Sequence, residues 1–261
     1  MKIPRIQAFE FNDNPRVPRF LRDSIVEILG LGLRLGNVLA PVGPVFMEFC
    51  QRAGVDEVLD LCSGTGEPAA ILVNTLKRAG FCPPTFYISD LFPNREAMER
   101  SVSRHPDKLV AVPEPVDATD VPERLDRSGR CIINAFHHFR PELGAAILAD
   151  CVAKRRPVFL AEGFNRRPAG FFPLLIPLVL AHYLNPFFAK RDRGLKLFFT
   201  YLVPAVSLLG TWDAVVSFLR TRTPEELFEM TRPISRGYVW EAREVPYPAG
   251  GANTVFFGIP E

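Results

Sequence analysis

The groups in this chain best suited to chemistry are a glycine turn, a set of acids at regular intervals and two adjacent histidines. The turn is Cys62-Ser63-Gly64-Thr65-Gly66, preceded by Val58-Leu59-Asp60-Leu61 and followed by helix formers from Ala69. An apolar run that reaches an acid, turns on glycines and restarts as a helix reads as strand, turn and helix. Gly64 and Gly66 permit backbone angles that a side chain would block, and they let a ligand lie against the main chain. The helix beyond offers unpaired N–H groups and a partial positive charge, so a nucleotide-like cofactor is the natural guest. His137 and His138 stand together among only 4 histidines. Imidazole titrates near neutrality, so either is a candidate base for a substrate hydroxyl. The competing reading has one histidine capping a helix while the other packs. Glu162 is placed to hold a histidine, to bind substrate or to bond locally.

These residues need a scaffold, and the hydrophobic pattern supplies one. From Val55 strands are expected at 57–61, 85–90, 109–115, 130–136 and 157–164, with helices at 69–79, 94–104 and 141–154. Pro113 and Pro115 put the third strand at the sheet edge. Strands alternating with helices give a parallel sheet covered on both faces, with ligands beyond the carboxyl ends of the strands. Asp60, Asp90, Asp117 and His137 all fall at such ends. Upstream, an extended arm at 3–18 leads into helices at 20–39 and 45–53. Downstream, apolar runs at 171–188 and 195–210 are separated by Lys190-Arg191-Asp192-Arg193 and preceded by Arg166-Arg167. Each run is shorter than the ~20 residues that span a bilayer. Three readings stand: a cap over a greasy pocket, which is favoured, contact with a membrane surface, or a dimer contact. A helix at 210–219 and a capping-box helix opening at Thr223-Pro224-Glu225-Glu226 follow. Strands at 238–247 and 253–259, joined by Pro248-Ala249-Gly250-Gly251, end the chain. The expected division is an arm with leading helices (1–54), a core (55–165), an apolar helical insert (166–210) and the rest of the core (211–261).

Four segments occur in a telling order. They are Asp-x-x-x-Gly-x-Gly at 60–66, Thr85-Phe86-Tyr87-Ile88-Ser89-Asp90, Val116-Asp117-Ala118-Thr119-Asp120-Val121-Pro122, and Cys131-Ile132-Ile133-Asn134-Ala135-Phe136-His137-His138-Phe139. Together they resemble class I S-adenosylmethionine-dependent methyltransferases, over about 55–164 and 212–260. Cys62 departs from the first glycine that family often has. The resemblance implies an α/β fold: a Rossmann-like doubly wound sheet, mostly parallel with a C-terminal antiparallel hairpin, and here a helical apolar insert. It implies S-adenosylmethionine as cofactor. Asp60, Cys62, Gly64 and Gly66 would meet its amino acid and ribose, Asp90 with Leu91 its ribose hydroxyls, Asp117 with Ala118 its adenine, and Asn134 its methionyl part. The plainer alternatives are a helix cap for Asp90 and a turn role for Asp117, with Asp120 as its competitor. The catalytic candidates are His137, His138 and Glu162. Tyr201, Trp212, Asp213 and Arg220, in or beside the insert, are candidates for substrate binding, with capping or packing as the plain alternative.

Composition narrows the partners. The 261 residues suffice for a domain with a cap, and a net charge of +2 does not call for nucleic acid. The absence of an Asn-Pro-Pro-aromatic motif after the fourth strand also argues against nucleic acid as substrate. The 5 cysteines are scattered without a C-x-x-C pair, against both a disulfide framework and a metal site. A reducing cytoplasm is expected, and the start shows no secretory signal. The expected activity is methyl transfer to a small or lipophilic acceptor, O-methylation slightly favoured, in the cytoplasm or at the inner face of the membrane. Membrane contact through 166–210 and a homodimer stay open. The rival is a catalytically inactive scaffold of the same fold that binds a membrane or partner. A nicotinamide oxidoreductase is third, disfavoured by the Asp117 loop.

Overall fold

The computed structural model describes residues 3–189, 191–248 and 250–261, and the side chains of all of these except 168–174. Lys190 of the basic linker and Ala249 of the hairpin turn lie outside the described residues. In chain order the elements are α1 (Arg19–Leu35), α2 (Val42–Ala53), β1 (Glu57–Asp60), α3 (Glu67–Arg78), β2 (Thr85–Ile88), α4 (Arg95–Val102), β3 (Leu109–Ala111), β4 (Gly129–Ile133), α5 (Pro141–Ala153) and β5 (Val158–Glu162). They continue with α6 (Pro168–Phe188), α7 (Arg193–Leu197), α8 (Ala205–Arg220), α9 (Pro224–Thr231), β6 (Tyr238–Pro246) and β7 (Ala252–Pro260). Packing divides the chain into two compact units. A sheet unit holds Leu39–Gly163, Thr223–Val245 and Asn253–Glu261, and a helical unit holds Met1–Val38, Phe164–Arg222 and Pro246–Ala252. Residues 42–53, expected with the arm, pack in the sheet unit, and 211–222, expected with the core, pack in the helical unit.

The sheet runs β3-β2-β1-β4-β5-β7-β6. β1 to β5 pair in parallel, with Asp60 opposite Ile88 and Cys131, and β7 joins β5 antiparallel, with Leu160 opposite Phe256. The mostly parallel, doubly wound sheet with a closing hairpin is therefore as expected, including β3 at the edge. β4 and β5 are buried along their whole length, as strands covered on both faces must be. On one face Phe46 and Phe49 of α2 pack on Phe86, Phe159 and Phe257, with the Phe46 and Phe159 rings 5.0 Å apart. On the other, Ile147, Leu148 and Cys151 of α5 join Leu160, Leu227 and Phe256. Arg130 is fully buried in β4 and is neutralised by Asp126 at 2.9 Å and Asp150 at 2.5 Å.

In the helical unit Leu21 and Ile28 of α1, Leu178 and Ala181 of α6 and Val206 of α8 form the core. The glycines that weaken α1 as an isolated helix allow this packing: a Cβ at Gly32 would already touch Leu178 at 3.6 Å. α1 stops at Leu35, short of the expected 39, and Asn37 then takes a left-handed φ of 48°. The helix expected to begin at Gly210 begins at Ala205, after a π-turn at Phe198–Leu202 and a break at Val203-Pro204. Pro204, which has no N–H to donate, suits the residue before a helix rather than its interior. Among the described residues no single helix is long and apolar enough to cross a membrane. Only the pair Arg193–Leu202 and Ala205–Arg220, bent by 79°, passes on length and composition together.

Candidate functional site

The bend between β1 and α3 takes three left-handed residues, Cys62 (φ 60°), Gly64 (φ 57°) and Gly66 (φ 72°). The two glycines then differ. A Cβ on Gly66 would stand 2.6 Å from Cδ1 of Ile88, so its missing side chain is space the protein itself fills. A Cβ on Gly64 would meet nothing within 4 Å, so the backbone there faces open space. Only Gly64 thus leaves room for a ligand against the chain, and Gly66 serves packing. Cys62 occupies an angle that costs a non-glycine residue energy, which is the physical reason for a glycine there in related turns.

Asp90 points at this bend. Its Oδ2 accepts from the Gly64 N–H at 2.8 Å, and its Oδ1 accepts from Phe92 N at 2.9 Å. It does not cap α4, whose cap is Asn94. Asp60 is buried under the bend and accepts at Oδ1 from the Cys131 thiol at 3.3 Å. Burial pushes its carboxyl up to about 7 from 3.8, with the Asp90 charge adding and hydrogen bonds from Ser63 and Cys131 opposing. Burial also raises the Cys62 thiol, and the charges of Asp90, Asp60 and Asp117 raise it further. The three acids therefore act on one spot, the turn at 62–64.

Asp117 is exposed, and its Oδ1 accepts from both N and Oγ1 of Thr119 at 2.8 and 2.7 Å, which hold the carboxyl below its usual range. Its competitor Asp120 reaches away to Lys154 at 3.2 Å. Ala118 is buried beside it, while Leu91 next to Asp90 is exposed. Asn134, left-handed at φ 56°, accepts from the Gly163 N–H at 3.1 Å and ties the ends of β4 and β5 together.

His137 and His138 lie in a single 3-10 turn, Phe136–His138, with ring centroids 4.3 Å apart. Neither histidine caps α5. Glu162, at the end of β5, takes the role of holding the histidine. Its Oε1 accepts from the His137 backbone N–H at 2.9 Å, and its Oε2 lies 2.7 Å from His137 Nδ1. Both side chains are buried.

Sequence reasoning passed over Ser63, Ser89 and Ser101. Ser63 and Ser89 both donate to the Asp60 carbonyl, at 2.7 and 2.9 Å, and Ser101 donates to the Thr65 carbonyl at 2.8 Å. They brace the bend from beneath. Ser63 stands inside the motif, where its small size hides its role as a donor.

All these residues belong to the sheet unit, whereas the four substrate candidates belong to the helical unit. There Trp212 donates to the Phe9 carbonyl at 2.9 Å, and Asp213 accepts from the N–H groups of Phe11 and Asn12 at 2.8 and 2.9 Å. Arg220 donates to the Ala8 carbonyl and pairs with Glu10 and Asp13, both at 3.1 Å. Three of the four thus fasten the N-terminal arm to α8. Tyr201 donates to the Tyr183 carbonyl at 2.6 Å.

The residues of the sheet unit fit the cofactor that the sequence resemblance implies. An open backbone position at Gly64 adjoins the Asp90 carboxylate, whose two oxygens have spare lone pairs, and a second, exposed acid lies at Asp117. Neither a family model nor a curated protein sequence matches the chain. Solved structures do. TnmH matches at a TM-score of 0.53 with 17% identity, over 93% of this chain. This chain spans only 59% of TnmH. The methyltransferase domain of bacterial CtHen1-CN matches at 0.50 with 12% identity, over 85% of this chain and 99% of the domain. That of bacterial CtHen1-C matches at 0.50 with 11% identity, over 85% and 98%. The likeness establishes the Rossmann-like methyltransferase fold.

Proposed function

We propose that this chain transfers a methyl group from S-adenosylmethionine to a small or lipophilic acceptor, with oxygen the favoured acceptor atom. The observation that carries the reading is the Asp90 carboxylate held on the open Gly64 turn, with the Asp117 loop tied to it through the Val116 N–H on the Asp90 carbonyl at 2.9 Å, beside strand ends that bear a paired histidine and glutamate. When bound, the cofactor supplies a methyl group already activated on a sulfonium. Asp90, steered by the Gly64 N–H, offers its remaining lone pairs to two vicinal hydroxyls. Asp117, preset by Thr119, accepts from the adenine amino group with Ala118 beside it. Cys62, Gly64, Leu91 and Asn134 shape the rest of the hollow, Gly66 packs behind it on Ile88, and Asp60 orients the bend or receives the amino acid's ammonium group.

With Nδ1–H donated to the Glu162 carboxylate, the acceptor lone pair of His137 lies on Nε2. That nitrogen takes the proton from a substrate hydroxyl, and Glu162 stabilises the imidazolium that forms. His138 is the second candidate base. Much of the remaining rate comes from holding donor and acceptor aligned. Tyr201 and Trp212, both partly exposed, are the substrate candidates whose rings remain accessible, while Asp213 and Arg220 act through the arm. On this reading the chain works in the cytoplasm or at the inner membrane face, as a monomer or a homodimer.

Calorimetric titration with S-adenosylmethionine tests the reading. Micromolar binding that Asp90→Ala weakens is expected, and no binding at millimolar cofactor would overturn it.

A further inference from the structure

The helix α6 has no charged residue along its whole length. One side is buried through Leu178, Ala181, His182 and Asn185. The other side exposes Ile176, Val179, Leu180, Tyr183, Leu184 and Phe187, spaced by three and four residues so that they form one stripe. On a helix packed at the surface of a water-soluble domain that stripe is polar. Here it is apolar, and it does not stop at the helix end. Tyr201 joins it, with its ring 5.8 Å from Tyr183 and 6.2 Å from Phe187. Beyond it Leu202 stands 74% exposed at the 79° bend. Of the 24 large apolar side chains exposed in the described chain, 13 fall between residues 176 and 208, so this is a patch and not a scatter.

Positive charge predominates beside the patch. Arg191 and Arg193 are exposed on the link between its two halves, Lys196 is buried against Glu27 at 2.6 Å, and Asp192 is the only acid between 163 and 212. A second copy of the chain laid on this face would set arginines against arginines, with Asp192 and a Glu27 already paired to Lys196 as the acids beside them. Anionic headgroups would pair with those arginines while acyl chains took the apolar stripe. Tyr183 and Tyr201 are residue types that settle at headgroup depth. We propose that this face of the helical unit docks on a membrane surface rich in anionic lipid, lying in the interface without spanning it.

Co-sedimentation of the full chain with vesicles of phosphatidylcholine alone, or of phosphatidylcholine with phosphatidylglycerol, tests this. Pelleting with the anionic vesicles is expected, at least ~10-fold stronger than with the neutral ones. Each basic residue near an anionic surface contributes about 5-fold, so Arg191→Ala with Arg193→Ala should weaken binding about 30-fold. Leu184→Glu with Leu202→Glu should abolish it while cofactor titration and thermal melting stay unchanged, because both side chains are already exposed. Should that pair fail to fold, quenching by brominated lipid of a tryptophan placed on the patch by Leu202→Trp, in a chain with Trp212→Phe and Trp240→Phe, reads the contact without it. The proposal is overturned if the wild-type chain pellets with neither vesicle, if brominated lipid leaves that tryptophan unquenched, or if neither pair of substitutions changes pelleting. It is equally overturned by a dimer in light scattering that Leu184→Glu with Leu202→Glu turns to monomer while vesicles bind neither form. None of these results bears on cofactor binding in the sheet unit.

Discussion

Replacing Asp60 by asparagine should change how stability depends on pH. The Asp60 carboxyl is buried, and burial, helped by the Asp90 charge, lifts its folded-state value to about 7 from an ordinary 3.8. Below the ordinary value both folded and unfolded chains hold the proton, and burial of the neutral acid costs little. As pH rises toward 7 the unfolded chain releases the proton and the folded chain keeps it, so folding becomes progressively less favourable. Above about 7 both forms are ionised and the loss is complete. Each pH unit between the two values is worth ~1.4 kcal/mol, so the full loss is on the order of 4 kcal/mol. Asparagine copies the neutral acid and carries no such dependence. Urea denaturation followed by circular dichroism, from about pH 4 to about pH 8, should show the wild type losing stability relative to Asp60→Asn, with most of the change before about pH 7. Titrating groups that are not coupled to Asp60 cancel in the difference. A constant offset between the two proteins, or a wild type that gains on the variant as pH rises, would refute the reasoning.

Four further outcomes follow from the geometry. Gly66→Ala must hold a side chain at φ 72° with its Cβ 2.6 Å from Ile88, so it should lose about 3 kcal/mol of stability by urea denaturation. Gly64→Ala meets no neighbour and should lose only ~1 kcal/mol, while its cofactor affinity by calorimetry falls. His137→Ala and Glu162→Gln should each lower kcat about 100-fold or more with a hydroxylated acceptor and leave cofactor affinity unchanged, as steady-state kinetics beside calorimetry would show. Arg130→Met removes the buried cation that Asp126 and Asp150 share, leaving them only Arg156 and Lys154, and should cost roughly 3 kcal/mol in thermal or urea unfolding.

Much of the sheet unit is legible in the sequence because its signals are local. A buried parallel strand reads as an apolar run, and the acid or histidine that ends it marks the ligand edge. Asp60, Asp90, Asp117 and His137 can be picked out this way. Two details need the third dimension. Gly66 looks equivalent to Gly64 until Ile88 is seen filling its vacancy, and Glu162 finds its partner 25 residues away. The helical unit is less readable. Trp212, Asp213 and Arg220 read as candidates for substrate binding or for packing, and the bonds they make to the arm, more than 200 positions away, are announced by no local pattern. The start of α8 was misplaced because Gly210 is a poor helix residue in isolation. In the folded chain it lets His182 approach, whose Nε2 would lie 2.5 Å from a Cβ at that position.

The account's central claim is that the bend at 62–66 holds an adenosyl group with its ribose on Asp90 and its base at Asp117. A crystal structure of the chain with S-adenosylhomocysteine tests this most directly. The account predicts the ribose hydroxyls within hydrogen-bond distance of Asp90, the adenine amine at Asp117 and the amino acid against Gly64. Ligand bound elsewhere, or a hollow closed by the protein's own side chains with Asp90 and Asp117 turned away, would contradict it.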